Sequence, residues 1–504
     1  MKRKSKNRKS QTASNALTPN LEDNLEVIKT SMGNSSDLVI RRVMIHQTPA
    51  AIIYMDGLVD NNSVQNFILE ALMLEMPTEK PNHNLFESIK ESALPIGEAE
   101  EIDCYNELFE RLISGETILL LEQQSKAIAA STKGWRDRGV QETTSESVIR
   151  GPKESFTETM RTNTALIRRK IKDSNLRMEP KKIGTKTKTD VTVVYLEGTA
   201  ESEVIDEVNR RLDQIDIDGI LESGYLEEFI QDAQYSPFPT VYNSEKPDAI
   251  AGGILEGRVA IITDGTPNVL LVPALFVNFM QSSEDYYQRA DIGTFVRILR
   301  LFCFFVALFM PSIYIAFTTF HQEMIPPPLL ISLAAQREGV PFPALAEALM
   351  MELTFEVLRE AGVRLPKPVG SAVSIVGALV LGQAAVQAGL VSPAMVIVVS
   401  ITAICSFVFP AYNLAISVRI LRFPLMLLAA TFGLYGIILG MIAMVLHLCS
   451  LKSFGKSYMA PFAPFMPKDQ KDVLVRFPHW GLLSRPSSMT KKDQQRVDST
   501  SKEN

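Results

Sequence analysis

The sequence predicts a duplicated N-terminal α/β soluble domain followed by an all-α polytopic membrane domain of about four to five spans. Three observations predict it. Stretches of about 20 apolar residues, enough to cross a hydrocarbon core, begin only at Val296. A strand–turn–helix phrase in the first half returns later at a fixed offset. Between the halves, the hairpin-like AIITDGTPNVLLVPA passes through the charged QSSEDYYQR into VRILRLFCFFVALFMPSIYIAFTT, a junction between water and bilayer chemistry.

The elements follow in chain order. Residues 1–35 open with the basic block MKRKSKNRK and are rich in Ser, Asn and Thr, so they read as a solvated, disordered arm. With a net charge of −6 and no basic patch interleaved with aromatics, nucleic acid is excluded as the main partner. No apolar signal core follows the arm, and the positive-inside rule puts the N-terminal half in the cytosol. DLVIRRVMI alternates like a strand, AAIIYM ends at Asp56-Gly57, and NSVQNFILEALML has helical spacing with Asn61 or Asn62 as N-cap. The phrase recurs in VTVVYLEGTAESEVIDEVNRRL, where Tyr195, Glu197, Gly198, Glu201 and Ile205 match Tyr54, Asp56, Gly57, Asp60 and Val64 at a constant offset of 141. Hairpins starting at Gly115 and Gly257 repeat likewise, giving subdomains at 36–185 and 186–290.

Chemistry is sparse. No phosphate loop, zinc-protease helix, nucleophile elbow or dinucleotide fingerprint is present, and the four cysteines show no metal spacing. Asp264-Gly265 sits where a hairpin needs its turn, and His321 with Glu323 offers too few ligands for a metal. Hence no catalytic residue, metal or cofactor is expected. In the charged segment 131–180, Arg168, Arg169 and Lys170 read either as a solvated helix face or as a site for an anionic lipid or acidic partner.

In the membrane half (291–450), spans are expected at about 296–318, 369–388, 393–412 and 423–448. Arg297 and Arg300 are expected to snorkel to cytosolic headgroups, and Pro311 to kink the first span. A proline-flanked amphipathic helix at 341–361 carries Glu347, Glu352 and Glu356. These acids either face water or form, in a ring of subunits, a cation-attracting constriction. Gln383 and Gln387, one turn apart in a span, are further pore or gate candidates. Small residues at Gly370, Ser374, Ala378, Gly382, Gly436 and Gly440 invite close helix packing, within or between subunits. Four spans would return residues 451–504 to the cytosol, but Arg419 and Arg422 would then face outward; a fifth pass reverses both. Glu284, Asp285, Arg289, Arg297 and Arg300 are the candidate coupling residues at the junction, and the residues after Trp480 read as a polar tail.

With these residues in view, the chain resembles the A subunits of GerA-type spore germinant receptors. The resemblance spans about 33–480 and rests on GNSSDLVIR, VIRGPKESFTETMRTN, SPFPTV, LEGRVAIITDGTPNVLLVP, SSEDYYQR, TTFHQEMIPPPLL, REGVPFPALAEALMMELTFEVLREAGVRLP and LRFPLMLLAATFG. Lys153 and Lys246 stand where the family pattern leads one to expect arginine. The resemblance implies a spore inner-membrane protein that works with B and C partner subunits and membrane lipid. It also implies a homo-oligomer that turns germinant binding on a partner into cation release. A non-conducting signalling scaffold and a secondary transporter are the alternatives.

Overall fold

The computed structural model describes residues 16–45, 48–66, 86, 99–134, 150–364, 380–490 and 493–496. The chain divides into two compact units. Unit 1 holds the residues up to Ile230, then Asn243–Pro273 and Ser484–Arg496; unit 2 holds Gln231–Tyr242 and Ala274–Leu483.

Unit 1 contains two five-stranded sheets of one topology. The first joins β1 (Leu38–Ile45), β2 (Thr48–Met55), β3 (Ala99–Ile102), β4 (Thr117–Leu121) and β5 (Ala127–Ala130) in the order β1-β2-β4-β5-β3. The second joins β6 (Leu176–Ile183), β7 (Thr189–Leu196), β8 (Tyr242–Ser244), β9 (Val259–Thr263) and β10 (Val269–Val272) in the order β6-β7-β9-β10-β8. The duplication expected from sequence is therefore present as a repeated strand order. β2 is buried along most of its length because both faces of its sheet are covered: Ala51, Ile53 and Met55 enter one core and Ala50, Ile52 and Tyr54 the other.

Each copy opens with a helix, α1 (Leu21–Ser31) or α3 (Met160–Lys170), tied down in the same way. The hairpin-turn carboxylate accepts the first helical N–H: Glu122 from Leu21 at 2.9 Å, Asp264 from Met160 at 2.9 Å. That use of Asp264 agrees with its reading as a turn residue. A buried asparagine then staples the entry to each helix. Asn24 accepts from Thr18 N at 3.0 Å and donates to Thr18 O at 2.7 Å; Asn163 does both with Thr157 at 2.8 and 2.6 Å. Gly115 and Gly257, at φ +88° and +93°, pass close under the Leu58 and Thr199 carbonyls, where an added Cβ would sit 2.8 and 2.9 Å away.

Four expectations change here. Within the arm read as disordered, α1 is a helix whose Leu21, Leu25 and Ile28 are buried, as is the following Met32; residues 1–15 lie outside the described residues. The second copy starts near Thr157, since α3 and β6 belong to it, well before 186. The cap of the 61–66 helix is Asp60, whose Oδ2 accepts from Ser63 N at 2.9 Å, and not Asn61 or Asn62. The expected polar tail also has structure: residues 484–496 belong to unit 1, Met489 and Thr490 are buried, and Thr490 Oγ1 donates to Thr199 O at 2.7 Å.

Unit 2 is helical apart from the short pair β11 (Lys452–Ser453) and β12 (Lys456–Ser457). Its main helices are α8 (Ala290–Thr319), α9 (Pro327–Arg337), α10 (Ala344–Arg364), α11 (Pro393–Ser406) and α12 (Tyr412–Ser450). Of these, α8 and α12 are long and apolar enough to cross a membrane. The segment expected as one span at 423–448 folds back at Gly433, which has φ 62° and ψ −141°. A straight helix would hold Ser417 and His447 about 45 Å apart, yet they bond to neighbouring residues, Pro237 O and Ser236 Oγ. Gly436 and Gly440 face Leu428 and Leu425 of the same α12, so their close packing lies within the subunit. Gly370, Ser374 and Ala378 fall outside the described residues.

Candidate functional site

Two charged clusters in unit 2 gather most of the residues singled out by sequence. The first sits at the start of α8. Ser282 caps a short turn, Ser283–Tyr286, that buries Asp285. Asp285 Oδ2 accepts from Arg297 Nε at 3.2 Å and from Arg300 Nη1 at 2.6 Å. Arg297 Nη1 also donates to Asp472 Oδ1 at 2.9 Å, and its guanidinium lies 5.1 Å from the Tyr286 ring centroid. Tyr286 Oη donates to Asp472 Oδ2 at 2.9 Å, and Arg476 donates to the Tyr286 and Gln288 carbonyls.

This cluster corrects one expectation and divides another. Arg297 and Arg300 do not snorkel; both are buried and paired, because the Asp285 carboxylate in direct contact offsets the cost of taking their charge out of water. Of the five coupling candidates, Asp285, Arg297 and Arg300 converge. Glu284 accepts from Gln288 along its own segment, and Arg289 is exposed beside Asp291. Sequence reading misses Asp472 and Arg476, which lie far along the chain in a stretch without helical or strand periodicity. Their only sequence signal is that a charge stands among apolar and aromatic neighbours, as in DVLVRF.

The second cluster lies among the apolar helices. Glu347 is fully buried, accepting from Ser392 N at 2.6 Å and from the Ser392 hydroxyl. Glu352 Oε2 accepts from Arg422 Nη1 at 2.5 Å, with both side chains almost wholly buried. Glu356 takes a two-armed contact from Arg419, one arm at 2.9 Å. Arg359 donates to Ser406 and lies 5.2 and 4.7 Å from the Phe355 and Phe407 ring centroids. Thus α10 turns Glu347, Glu352 and Glu356 toward the bundle and exposes Leu353 and Val357, the reverse of what a water-facing helix would do with those acids. Arg419 and Arg422, whose placement complicates the span count, each answer a carboxylate of α10. Gln383 and Gln387 are exposed on a helical segment.

In unit 1, Arg168 does not form a lipid-binding patch with Arg169 and Lys170. It is 1% exposed, donating to Asp37 at 2.9 and 3.1 Å and to Ser35, so α3 of the second copy is clasped to the first. Arg169 and Lys170 meet Glu154. Among the described residues, no group of three or more His, Cys, Asp or Glu is placed to hold a metal.

Residues 26–488 match the model of the Bacillus/Clostridium GerA spore germination protein family. The chain belongs to this family. It is 50% identical to spore germination protein KA of Bacillus subtilis (strain 168) over 95% of this chain and 88% of that one. It is 38% identical to spore germination protein A1 of the same organism, over 95% of this chain and 98% of that one. Among solved structures it is similar to the N-terminal domain of the A subunit of the Bacillus megaterium spore germinant receptor GerK3, with 41% identity and a TM-score of 0.43. That match covers 52% of this chain and 97% of that one. The family and the two spore germination proteins support a role in germination.

Proposed function

We propose that this chain is the A-type membrane subunit of a spore nutrient-germinant receptor. In this reading it oligomerises and carries germinant binding on B and C partner subunits into germination by gated cation release. The observation that carries the conduction is the charge held among the apolar helices of unit 2, where Glu347, Glu352, Glu356, Arg419 and Arg422 stand within an apolar bundle. Intramembrane ionisable residues are costly, and they mark ion paths more often than packing. Each of the three glutamates has a partner inside the subunit, so each would meet a cation only once that pair has opened. Gln383 and Gln387 would line the path without such a step. No catalytic step and no cofactor enter this reading.

The same reading places the protein in the spore inner membrane as a multi-pass subunit with unit 1 in the cytosol. Asn243–Pro273, just before the apolar helices, and Ser484–Arg496, after them, share unit 1. Only an even number of crossings between them lets both lie on one side, which favours an even count over five.

A non-conducting signalling scaffold is the competing reading, favoured by the fact that the acids of α10 are already paired. Planar-bilayer recording on the purified full chain separates the two. A cation current that falls when Gln383 and Gln387 are replaced by leucine is expected; absence of any current refutes conduction and leaves the scaffold.

A further inference from the structure

The charges of the apolar bundle converge on one side chain. Pro311 has no N–H, so the Ala307 carbonyl one turn earlier in α8 lacks its helical donor. Arg422 Nε, from α12, donates to that carbonyl at 2.8 Å. The same guanidinium gives Nη1 to Glu352 of α10 at 2.5 Å. One planar group thus repairs a helix defect in α8 and neutralises an acid on α10, a double duty that the forked geometry of arginine permits and lysine does not.

This node is incompletely satisfied. Glu352 Oε1 and Arg422 Nη2 are buried and have no hydrogen-bond partner among the described residues. A partly satisfied buried pair contributes little net stability compared with apolar packing of equal volume. Its value lies in registry, fixing which face of α10 turns inward. Glu356–Arg419 forms a second, more exposed rung between the same two helices, at 20% exposure on each side.

We propose that Arg422 is the positioning residue that holds α10 against α8 and α12 in the resting subunit, and that opening of the Glu352–Arg422 and Glu356–Arg419 pairs releases α10. The inference rests on the membrane-subunit reading above but does not require that the subunit conducts. Backbone hydrogen exchange on the full chain in lipid nanodiscs tests it. Glu352→Gln keeps the volume and removes the charge, and should speed exchange of α10 amides about tenfold or more while leaving unit 1 unchanged. Arg422→Lys keeps the charge but loses the fork, and should speed α10 as well; a wild-type rate there overturns the two-helix role. Glu356→Gln, at the more exposed rung, should give a rise of a few-fold.

If Glu352→Gln fails to fold, Arg422→Lys and Glu356→Gln, which keep a cation beside Glu352, carry the test. Wild-type exchange across α10 in the folded variants overturns the proposal. Faster exchange with no potassium flux from loaded vesicles supports the latch and refutes conduction, so the two failures are distinguishable.

Discussion

The two copies in unit 1 share strand order, helix capping and the asparagine staple, yet they are closed differently. The first completes itself: Asp60 N donates to Thr132 O at 2.9 Å, and the Thr117 and Thr132 hydroxyls meet at 2.7 Å, just after β5. At the matching place in the second copy the chain has already left for unit 2, and Thr490 arrives from the far end of the sequence. Duplication preserved what a sheet needs locally, and the means of closing each copy was free to diverge. The clasp between copies is one-way too, because Arg168 is buried against Asp37 while Lys29, at the matching position of α1, is exposed.

That asymmetry sets the largest expected effect. Arg168→Met strands the Asp37 carboxylate and should cost about 3–5 kcal/mol, whereas Lys29→Met should stay within about 0.5 kcal/mol. Thermal unfolding that shifts equally for both would break the comparison. The staples should behave alike: Asn24→Ala and Asn163→Ala are each expected to cost about 2–3 kcal/mol. Asn24 should cost more, since Tyr105 Oη also donates to it at 2.5 Å. Tyr105→Phe, costing about 1 kcal/mol, should account for the difference in denaturant midpoints. Gly115→Ala and Gly257→Ala should each cost about 1–3 kcal/mol through positive φ and a crowded carbonyl. Gly257→Ala should also loosen residues 484–496, because its Cβ would lie 3.2 Å from Thr490 Cβ; faster exchange there, without a counterpart at 132–134, is the check.

The smallest effect depends on pH. Burial pushes the Glu227 carboxyl of α5 (Ser223–Ile230), in the second copy, up to about 7, partly offset by the hydrogen bond from Asn243. The folded copy then holds a proton that the unfolded chain releases near pH 4.5. Stability should therefore fall as pH rises from there to about 7, by about 1–2 kcal/mol. Glu227→Gln should flatten that slope in melting curves; an unaltered slope assigns it to another group.

Much of this fold is legible in the sequence. The repeat is readable because Gly57, Gly198, Gly115 and Gly257 each mark a backbone position with positive φ, where side chains are penalised. Its true beginning is not, since α1 and α3 share little beyond a Thr and an Asn that act only once folded. In unit 2, the acids of α10 are visible as a problem, but their answer lies in Arg419 and Arg422, some 60 to 70 positions later. Charge pairing across such distances leaves no periodicity. Pro311 reads as a lost hydrogen bond; that a particular arginine replaces it is a three-dimensional fact.

The bond from Thr490 to Thr199 spans 291 residues, and this bears on how the protein is made. The first copy can close as soon as residue 134 leaves the ribosome. The second must wait, with its seam at Thr199 open, until every helix of unit 2 has been synthesised. At about 5–20 residues per second that delay is roughly 15–60 s. During it the nascent second copy offers an unclosed edge for a chaperone or for a neighbouring nascent chain, while its twin is already complete.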